Sequence, residues 1–316
     1  MANATPRVRV ARRPVHGVIL LNKPLGLSSN QALQKVKWLL RAQKAGHTGT
    51  LDPQATGVLP LCFGSATKFA QIHLDADKAY RATVRLGVVT TTGDSEGEVV
   101  REQAVQVSDE QLQGVLPAFC GEIVQVPPMY SALKHEGKAL YEYAREGVEI
   151  ERKARQVVIH ELSARLLDGQ TFEMNVWCSK GTYIRTLAGD IGDALGCGAS
   201  LIGLQRVASG LAVLEQCVTL EELEAMSEGQ RMKQLKPPEF LLEGVPVVAL
   251  RDEDAGRFLT GMRRRVDVTD APLVQVMGEK PRVLLGAGRV VRGELIAQRL
   301  LSPVEVKEYI EQTEIR

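Results

Sequence analysis

Apolar residues recur along the first ninety positions in two spacings that predict secondary structure. Residues 18–21 form a short apolar run that ends at Asn-Lys-Pro, which is typical of a buried strand. Ser28 and Gln31 form a capping box, and apolar residues at helical spacing follow them, so a helix begins here. Residues 78–86 alternate between apolar and polar side chains, with Tyr80 at the start of the apolar face. They predict a strand.

The middle of the chain continues with the same two spacings. Alternation predicts strands at residues 157–166, 171–178 and 201–207. Thr182 is predicted to cap a helix that carries a continuous apolar stripe, and Gly196 is predicted to end it. Strands and helices therefore alternate irregularly, without an internal repeat.

Residues 46–60 break both spacings. They include three glycines and two prolines in fifteen residues, which we take to exclude a regular helix or a central strand, so a shaped loop is predicted. Asp52 lies in this loop and is the first acidic residue of the chain, after nine lysines and arginines. The positive charge of residues 1–51 would draw a polyanion towards this carboxylate.

Asp52, Tyr80 and Arg185 each allow two interpretations. Asp52 either starts a turn by accepting a local hydrogen bond or presents its carboxylate to a substrate. Tyr80 is either a core aromatic or a platform for a stacked base, a contact worth roughly 1–3 kcal/mol. Arg185 falls in the first turn of its helix, where the dipole disfavours a cation by up to ~1 kcal/mol. It therefore either faces an anion or is a solvated surface residue.

The spacings lapse around residues 236–238, and a domain boundary is predicted near Glu243. Short β-type runs and one helix follow, which predict a compact β-rich module; the runs cover residues 247–250, 265–268, 273–277 and 283–285, and the helix covers 252–259. Three arginines at 263–265 are either a phosphate contact or a solvated turn. The predicted organisation is a flexible basic arm at 1–14, a main domain at 15–242 and the module at 243–316.

Composition sets further bounds. The chain has 316 residues and a formal net charge of +1, so the total charge does not argue for a nucleic-acid partner, and only its distribution does. Five dispersed cysteines suggest reduced thiols in a cytoplasmic protein and no disulfide frame or zinc site. No apolar run reaches the length of about 18 residues that a membrane span needs. Neither a phosphate-binding loop nor a dinucleotide fingerprint is present, so no nucleotide cofactor is expected.

The sequence Gly-His-Thr-Gly-Thr-Leu-Asp-Pro-Gln-Ala-Thr-Gly-Val-Leu-Pro at 46–60 resembles the motif of the bacterial tRNA pseudouridine-55 synthases. Residues 77–80 and 180–185 are similar to two further motifs of that family, and the resemblance covers residues 17–210. It implies an α+β fold, with a mixed, mostly antiparallel central sheet flanked by helices and a small carboxyl-terminal PUA-like RNA-binding domain. It also implies an isomerase that flips uridine 55 of the tRNA T loop and converts it to pseudouridine. No cofactor, metal or protein partner is expected.

The resemblance assigns roles to particular residues. Asp52 is expected to be the nucleophile, Arg185 to keep it ionised by lowering its pKa, and Tyr80 to stack on the target base. Substrate-binding roles are expected for His47, Tyr183, Leu204, Lys23, Lys68 and Lys134.

Two other classes of function compete with this one. A non-catalytic factor that opens and refolds tRNA would use the same basic surface and Tyr80, but it would not need Asp52 opposed by Arg185. Isomerisation and tRNA folding could also coexist in one protein. A hydrolase that turned Asp52 against an N-glycosidic bond would release free uracil.

Overall fold

The computed structural model describes residues 11–314. The strands are β1 (Gly17–Lys23), β2 (Ala45–His47), β3 (Ala55–Phe63), β4 (Lys78–Leu86), β5 (Val88–Thr90), β6 (Val99–Glu102), β7 (Gly121–Gln125), β8 (Lys134–His135), β9 (Lys138–Ala139), β10 (Arg155–Leu166), β11 (Thr171–Cys178), β12 (Ala199–Ser209), β13 (Ala212–Val213), β14 (Val218–Thr219), β15 (Val247–Leu250), β16 (Arg264–Arg265), β17 (Ala271–Glu279), β18 (Arg282–Val291) and β19 (Glu294–Leu300). The helices are α1 (Ser29–Leu39), α2 (Ala70–Leu74), α3 (Asp109–Val115), α4 (Leu140–Arg145), α5 (Ile184–Ala194), α6 (Leu220–Ala225), α7 (Glu228–Lys233), α8 (Asp252–Leu259) and α9 (Pro303–Glu314). Short 3-10 turns cover Gly64–Lys68, Leu116–Phe119, Leu214–Gln216 and Pro238–Leu242.

A ten-stranded mixed sheet organises most of the chain. Its main path is β14-β1-β3-β12-β4-β11-β10-β7, with β2 paired to β3 and β13 paired to β12. Neighbouring strands are antiparallel except at β1–β14 and β3–β12. Helix α5 packs its apolar stripe on strands β4, β11 and β12, and α1 covers β1 and β3. The predicted mixed, mostly antiparallel sheet flanked by helices is confirmed.

Capping chemistry fixes where several helices begin. Ser28 caps α1, and its hydroxyl accepts from the backbone N–H of Gln31 while the Gln31 side chain returns to the Ser28 backbone. The prediction that Thr182 caps α5 is wrong. The Thr182 hydroxyl instead donates to the Ser179 carbonyl at 2.9 Å, which closes the turn after β11, and α5 begins after Tyr183.

The prediction of a loop over residues 46–60 is wrong at both ends, because Gly46 and His47 belong to β2 and residues 55–60 belong to β3, an interior strand. Gly57 has φ +101°, and a Cβ there would lie 2.2 Å from the Arg206 carbonyl oxygen, so glycine permits β12 to pass closely. Pro60 accepts a hydrogen bond from the Thr48 N–H on the side away from β1. Its missing donor therefore falls where the ladder to β1 does not need one.

The carboxyl-terminal part forms a second sheet of five strands in the order β15-β17-β18-β19-β16. The spacing analysis did not identify β19 or α9, and it extended a strand over 265–268 where only Arg264–Arg265 pairs. This sheet packs on the back of β1 and β3 through one apolar cluster; its members include Val18, Leu20, Val58, Phe69, Met277, Leu284 and Ala287. The two sheets therefore share a core.

The predicted basic arm lies largely outside the described residues, which begin at residue 11. Arg12 Nη1 donates to the Ala42 carbonyl oxygen at 3.0 Å, and the Arg13 N–H donates to the Arg41 carbonyl oxygen at 2.9 Å. The end of the arm is thus held against the segment that follows α1.

Candidate active site

Asp52 is held in a loop between β2 and β3. The Ser29 hydroxyl, in the first turn of α1, accepts from the Leu51 N–H at 2.7 Å and donates to the Leu51 carbonyl oxygen at 3.0 Å. The Ala55 N–H binds the Asp52 carbonyl oxygen at 3.0 Å, and the Gly26 N–H binds the Pro53 carbonyl oxygen at 2.8 Å. The backbone on both sides of Asp52 is therefore fixed.

Arg185 lies between two carboxylates. Its Nη2 is 3.2 Å from Asp52 Oδ2, and its Nη1 is 3.0 Å from Asp94 Oδ2. The guanidinium also donates to the Thr92 and Tyr130 carbonyl oxygens. Exposed fractions differ sharply, since the side chains of Arg185 and Asp94 are 9% and 12% exposed whereas that of Asp52 is 49% exposed. Arg185 and Asp94 thus form a rigid base from which Asp52 faces the cleft.

Asp94 was assigned no role from the sequence, and it lies in the loop between β5 and β6. Its Oδ1 accepts from the Thr92 hydroxyl at 2.6 Å and from the Glu96 N–H at 3.1 Å, so the carboxylate is fixed before it meets Arg185. One feature of Arg185 could have pointed to a second acid. A guanidinium has two terminal nitrogens that can each contact a carboxylate, and the sequence had assigned only Asp52 to it.

The expectation that Asp52 has a lowered pKa is wrong. Partial burial in the cleft raises the pKa of the Asp52 carboxyl above its usual value, and Arg185 only partly opposes this. Asp94 and Glu96 raise the pKa further because their negative charges face the same carboxyl.

Tyr80, Tyr183 and Leu204 line a cleft of about 370 Å³ beside Asp52 and Arg185. Tyr80 and Leu204 form one wall of the cleft because of the strand register. Leu204 pairs with Ala82, and Tyr80 lies two residues before Ala82 on the same strand, so the side chains of Tyr80 and Leu204 point to the same face of the sheet. Tyr183 precedes α5, and the Arg155 guanidinium lies 4.6 Å from its ring centroid. The structure therefore brings five of the predicted residues to one cleft. Its volume lies in the range of small-molecule sites.

Two buried cations close the strand side of the cleft, and the sequence analysis assigned neither a role. Arg206 is 1% exposed and donates to the Val58 and Gly49 carbonyl oxygens at 2.7 and 3.3 Å. Lys78 donates to the carbonyls of Leu74 and Ala76, and burial lowers its pKa to about 8. Neither side chain makes an ion pair within residues 11–314.

Arg206 also faces Tyr80 directly across the sheet, since the two residues are register partners. Burial raises the pKa of the Tyr80 hydroxyl, and the positive charge and hydrogen bond of Arg206 act in the opposite direction. Arg155 is a further cation at this cleft, and its Nε and Nη2 are enclosed without a hydrogen-bond partner in the described part of the protein.

Lys23, Lys68 and Lys134 were predicted to bind the substrate. None of the three lines the cleft. Lys23 is fully buried, and its Nζ binds the carbonyls of the turn that follows β1, at 2.6 Å for Leu27. Burial lowers its pKa to about 8. Lys68 pairs with Glu305 of α9 at 2.5 Å, and Lys134 is exposed on the β8–β9 hairpin. Lys23 therefore supports the loop, and Lys68 joins the two sheets.

His47 lies in an adjoining chamber of about 540 Å³ on the other side of the Asp52–Arg185 pair. The chamber is also lined by the start of α1 and by Tyr141 and Arg145 of α4. Burial lowers the pKa of His47, and nearby Arg206 lowers it further, so the imidazole is neutral at pH 7.

Within residues 11–314 no group of three or more metal-binding side chains is close enough to hold an ion. The described helices are also too short or too polar to cross a membrane.

Comparison with known proteins gives consistent results. Residues 37–184 match the model described as TruB family pseudouridylate synthase (N terminal domain), and residues 185–243 match the tRNA pseudouridylate synthase B C-terminal domain. A protein named tRNA pseudouridine synthase B from Verminephrobacter eiseniae is 55% identical over 96% of this chain and 94% of its own. A protein of the same name from Cupriavidus metallidurans is 55% identical over 95% of this chain and 98% of its own. Among solved structures, one titled as a Cbf5–Nop10–Gar1 complex matches with a TM-score of 0.70 at 27% identity, over 91% of this chain and 84% of its own.

Proposed function

Because this chain belongs to the TruB family of pseudouridylate synthases, we propose that it isomerises the uridine at position 55 in the T loop of tRNA, with Asp52 as the nucleophile. The enzyme class follows from the family: the chain is a pseudouridine synthase, an isomerase. The name tRNA pseudouridine synthase B, shared by relatives that align over nearly the whole chain, supports tRNA as the substrate.

The observation that carries the proposal is the Asp52–Arg185 ion pair at 3.2 Å, at the edge of a cleft lined by Tyr80 and Leu204. A planar pyrimidine fits between an aromatic ring and an aliphatic side chain, and stacking on the ring favours it. A target uridine has to leave the stacked loop to enter this cleft. The cleft therefore supports base flipping followed by attack from the half-exposed carboxylate.

The reaction rearranges bonds within one nucleotide. The bond between C1′ and N1 breaks, a bond between C1′ and C5 forms, the C5 proton leaves and N1 takes up a proton. Asp52 acts as nucleophile, at C1′ of the sugar or at C6 of the base, and is released at the end. The product has the same mass as the substrate, and no step consumes a co-reactant.

Residues around Asp52 have supporting roles in this scheme. Arg185, fixed by Asp94, orients the carboxylate towards the bound nucleotide. Tyr80 stacks on the base, and Arg206 beside it favours negative charge that develops on the uracil oxygens. Tyr183 positions Arg155, whose unpaired N–H groups suit a phosphate of the flipped nucleotide.

Contacts with the rest of the T arm are proposed for two regions near the cleft. His47 lines the adjoining chamber, which has room for nucleotides next to the target. The exposed Lys134 lies on the hairpin before α4, where its ammonium group can contact phosphates of the tRNA backbone.

We also propose that residues 243–316 bind RNA outside the loop. Of the three arginines at 263–265, Arg263 pairs with Glu294 and Arg264 pairs with Asp254. Within the described residues Arg265 is exposed and makes no ion pair, so it is the one best suited to a phosphate.

The test uses purified enzyme, an unmodified tRNA transcript and carbodiimide labelling, which maps pseudouridine to single positions. Wild-type enzyme should modify position 55, and Asp52→Asn should modify none while binding tRNA within about tenfold of wild type, a difference under ~1.4 kcal/mol. Asp193→Asn is a matched control, since Asp193 is an exposed acid of α5.

Four results would contradict the proposal. Modification at another position would refute the site specificity, and a tenth of wild-type rate in Asp52→Asn would refute the nucleophile. Free uracil in the supernatant would indicate a hydrolase. Binding and refolding of tRNA with no conversion would indicate the non-catalytic alternative.

A further inference from the structure

Trp38 is a large aromatic side chain that the fold leaves in water. It lies on α1 and is 63% exposed. A single exposed apolar residue is ordinary on a protein surface, so the groups around Trp38 decide whether it marks a site. No part of the proposed reaction uses this residue.

The exposed face of α1 connects Trp38 to the cleft. Asn30, Gln34 and Trp38 follow one another at four-residue intervals and therefore share a face, and Gln34 Nε2 donates to Asn30 Oδ1 at 3.3 Å. Asn30 lines the chamber beside Asp52. Eight residues of helix span about 12 Å, so Trp38 lies about that distance beyond the chamber.

Trp38 borders a groove of about 530 Å³ that is lined by Gln34, Lys35, Trp38, Leu39, Glu224 and Arg231. An apolar protein segment would find only two apolar side chains here. Arg231 donates to the Leu223 and Leu39 carbonyl oxygens at 2.6 and 3.4 Å, which fixes the groove between α1 and the α6–α7 turn. The groove is preformed, and four of its six lining residues are polar or charged.

The charge around Trp38 favours a polyanion. Residues 1–51 contain no acid, and within the described residues Lys35 and Lys37 make no ion pair. Glu224 is the one acid that lines the groove. An exposed aromatic ring beside free lysines is the combination that binds single-stranded nucleic acid, with the ring under a base and the lysines on phosphates.

We propose that Trp38 stacks on an unpaired base of tRNA outside the cleft, while Lys35 and Lys37 contact the adjacent phosphates. Stacked nucleotides rise about 3.4 Å along a strand, so 12 Å corresponds to three or four nucleotides beyond the chamber. The inference rests on the proposed function, because RNA in the cleft brings this base to α1. It adds a second, sequence-tolerant contact to the site.

The first test compares tRNA affinity among variants at fixed salt. Trp38→Ala and Trp38→Leu should bind an unmodified tRNA transcript roughly five- to a hundredfold more weakly, and Trp38→Phe should stay within about threefold of wild type. Trp177→Phe is the matched control, because Trp177 is a 44% exposed tryptophan on the sheet at β11. It should bind as wild type does.

The second test uses fluorescence, since the chain has two tryptophans. Trp177→Phe leaves Trp38 as the single reporter, and saturating tRNA should quench its emission. In Trp38→Phe the emission of Trp177 should not change. Equal thermal midpoints for all variants would show that the exposed substitutions leave the fold intact.

Unchanged affinity in Trp38→Ala, or no quenching in Trp177→Phe, would overturn the inference. Wild-type affinity in Trp38→Leu would show an apolar contact in place of stacking and would also overturn it. If wild-type enzyme converts no uridine, the proposed function fails. If it converts uridine 55 and the Trp38 variants bind normally, only the inference fails.

Discussion

The two sides of the cleft hold their charges in opposite ways. On the α5 side, Arg185 is paired with both Asp52 and Asp94. On the strand side, Arg206 and Lys78 are buried and bind backbone carbonyls, and Arg206 also binds the Tyr80 hydroxyl, but neither makes an ion pair in the described part of the protein. The positive charge on the α5 side is therefore paired with carboxylates before substrate arrives. The positive charge on the strand side has no carboxylate partner within the described residues.

This difference separates two tasks. The paired wall sets geometry, because Arg185 contacts the buried Asp94 through Nη1 and Asp52 through Nη2, which limits the orientations of the nucleophile. The unpaired wall favours electron density that arrives with the substrate, since a buried cation gains most from a partner that excludes water. If this division is correct, substitutions on the two walls should produce different defects.

The largest effect is expected from Arg185→Lys. A lysine ammonium is a point charge that cannot hold two carboxylates in one plane, so kcat should fall about a thousandfold while tRNA affinity changes little. Single-turnover conversion and filter binding measure the two quantities. Arg101→Lys is the control, because Arg101 pairs with the exposed Asp193. A kcat within tenfold of wild type would show that the geometry of this wall is unimportant.

A smaller effect with a second component is expected from Arg206→Met. The loss of positive charge beside the base should lower kcat about a hundredfold. The variant also leaves the Val58 and Gly49 carbonyls without their donor, which should cost about 1–3 kcal/mol in the free energy of unfolding. Urea unfolding separates this loss from catalysis. If Arg206→Met is less stable but keeps the wild-type kcat, Arg206 has only a structural role.

Asp94→Asn should alter the pH profile more than the maximal rate. The nucleophile has to be ionised, so activity falls as pH drops through the raised pKa of Asp52. Removing the negative charge of Asp94 lowers the pKa of Asp52, and the acid limb of the profile should move to lower pH. The rate at neutral pH should fall about tenfold because Arg185 loses one anchor. An acid limb that stays in place would exclude coupling between the two carboxyls.

The smallest effect is expected from Lys68→Ala. This lysine pairs with Glu305 and binds the Leu300 carbonyl, so its loss should lower stability by about 1 kcal/mol and leave kcat and tRNA affinity within twofold. Glu305→Ala should lower stability more, because Glu305 also accepts hydrogen bonds from the Ser302 N–H and hydroxyl, and the double variant should add little to Glu305→Ala. Weaker, less salt-dependent tRNA binding in Lys68→Ala would restore the phosphate contact predicted from sequence.

The sequence predicted the elements that carry the site better than the contacts within it. The capping box at Ser28, the alternation of β4 and the helix that holds Arg185 are local patterns, and each appears in the structure. Asp94 lies in a polar loop without periodicity, so its position opposite Arg185 depends on a contact across 91 residues. Local patterns cannot supply a contact at that separation.

Two predictions differ from the structure, one about lysines assigned to the substrate and one about the loop at residues 46–60. Lys23 and Lys68 were assigned to a substrate, yet one is buried on backbone carbonyls and the other pairs with a residue 237 positions away. Gly57 and Pro60 suggested a loop, although both suit β3 because of what approaches them. In each case the deciding partner lies on a distant part of the chain.

The apolar cluster shared by the two sheets has a consequence for how the molecule comes apart. Val18 and Leu20 of the first sheet are packed against side chains such as Leu284 and Ala287 of the second. Removing the carboxyl-terminal part would expose these apolar side chains of the first sheet to water, so we expect the remainder to aggregate. The chain should accordingly melt in one cooperative step, because the carboxyl-terminal part completes the apolar core of the first sheet.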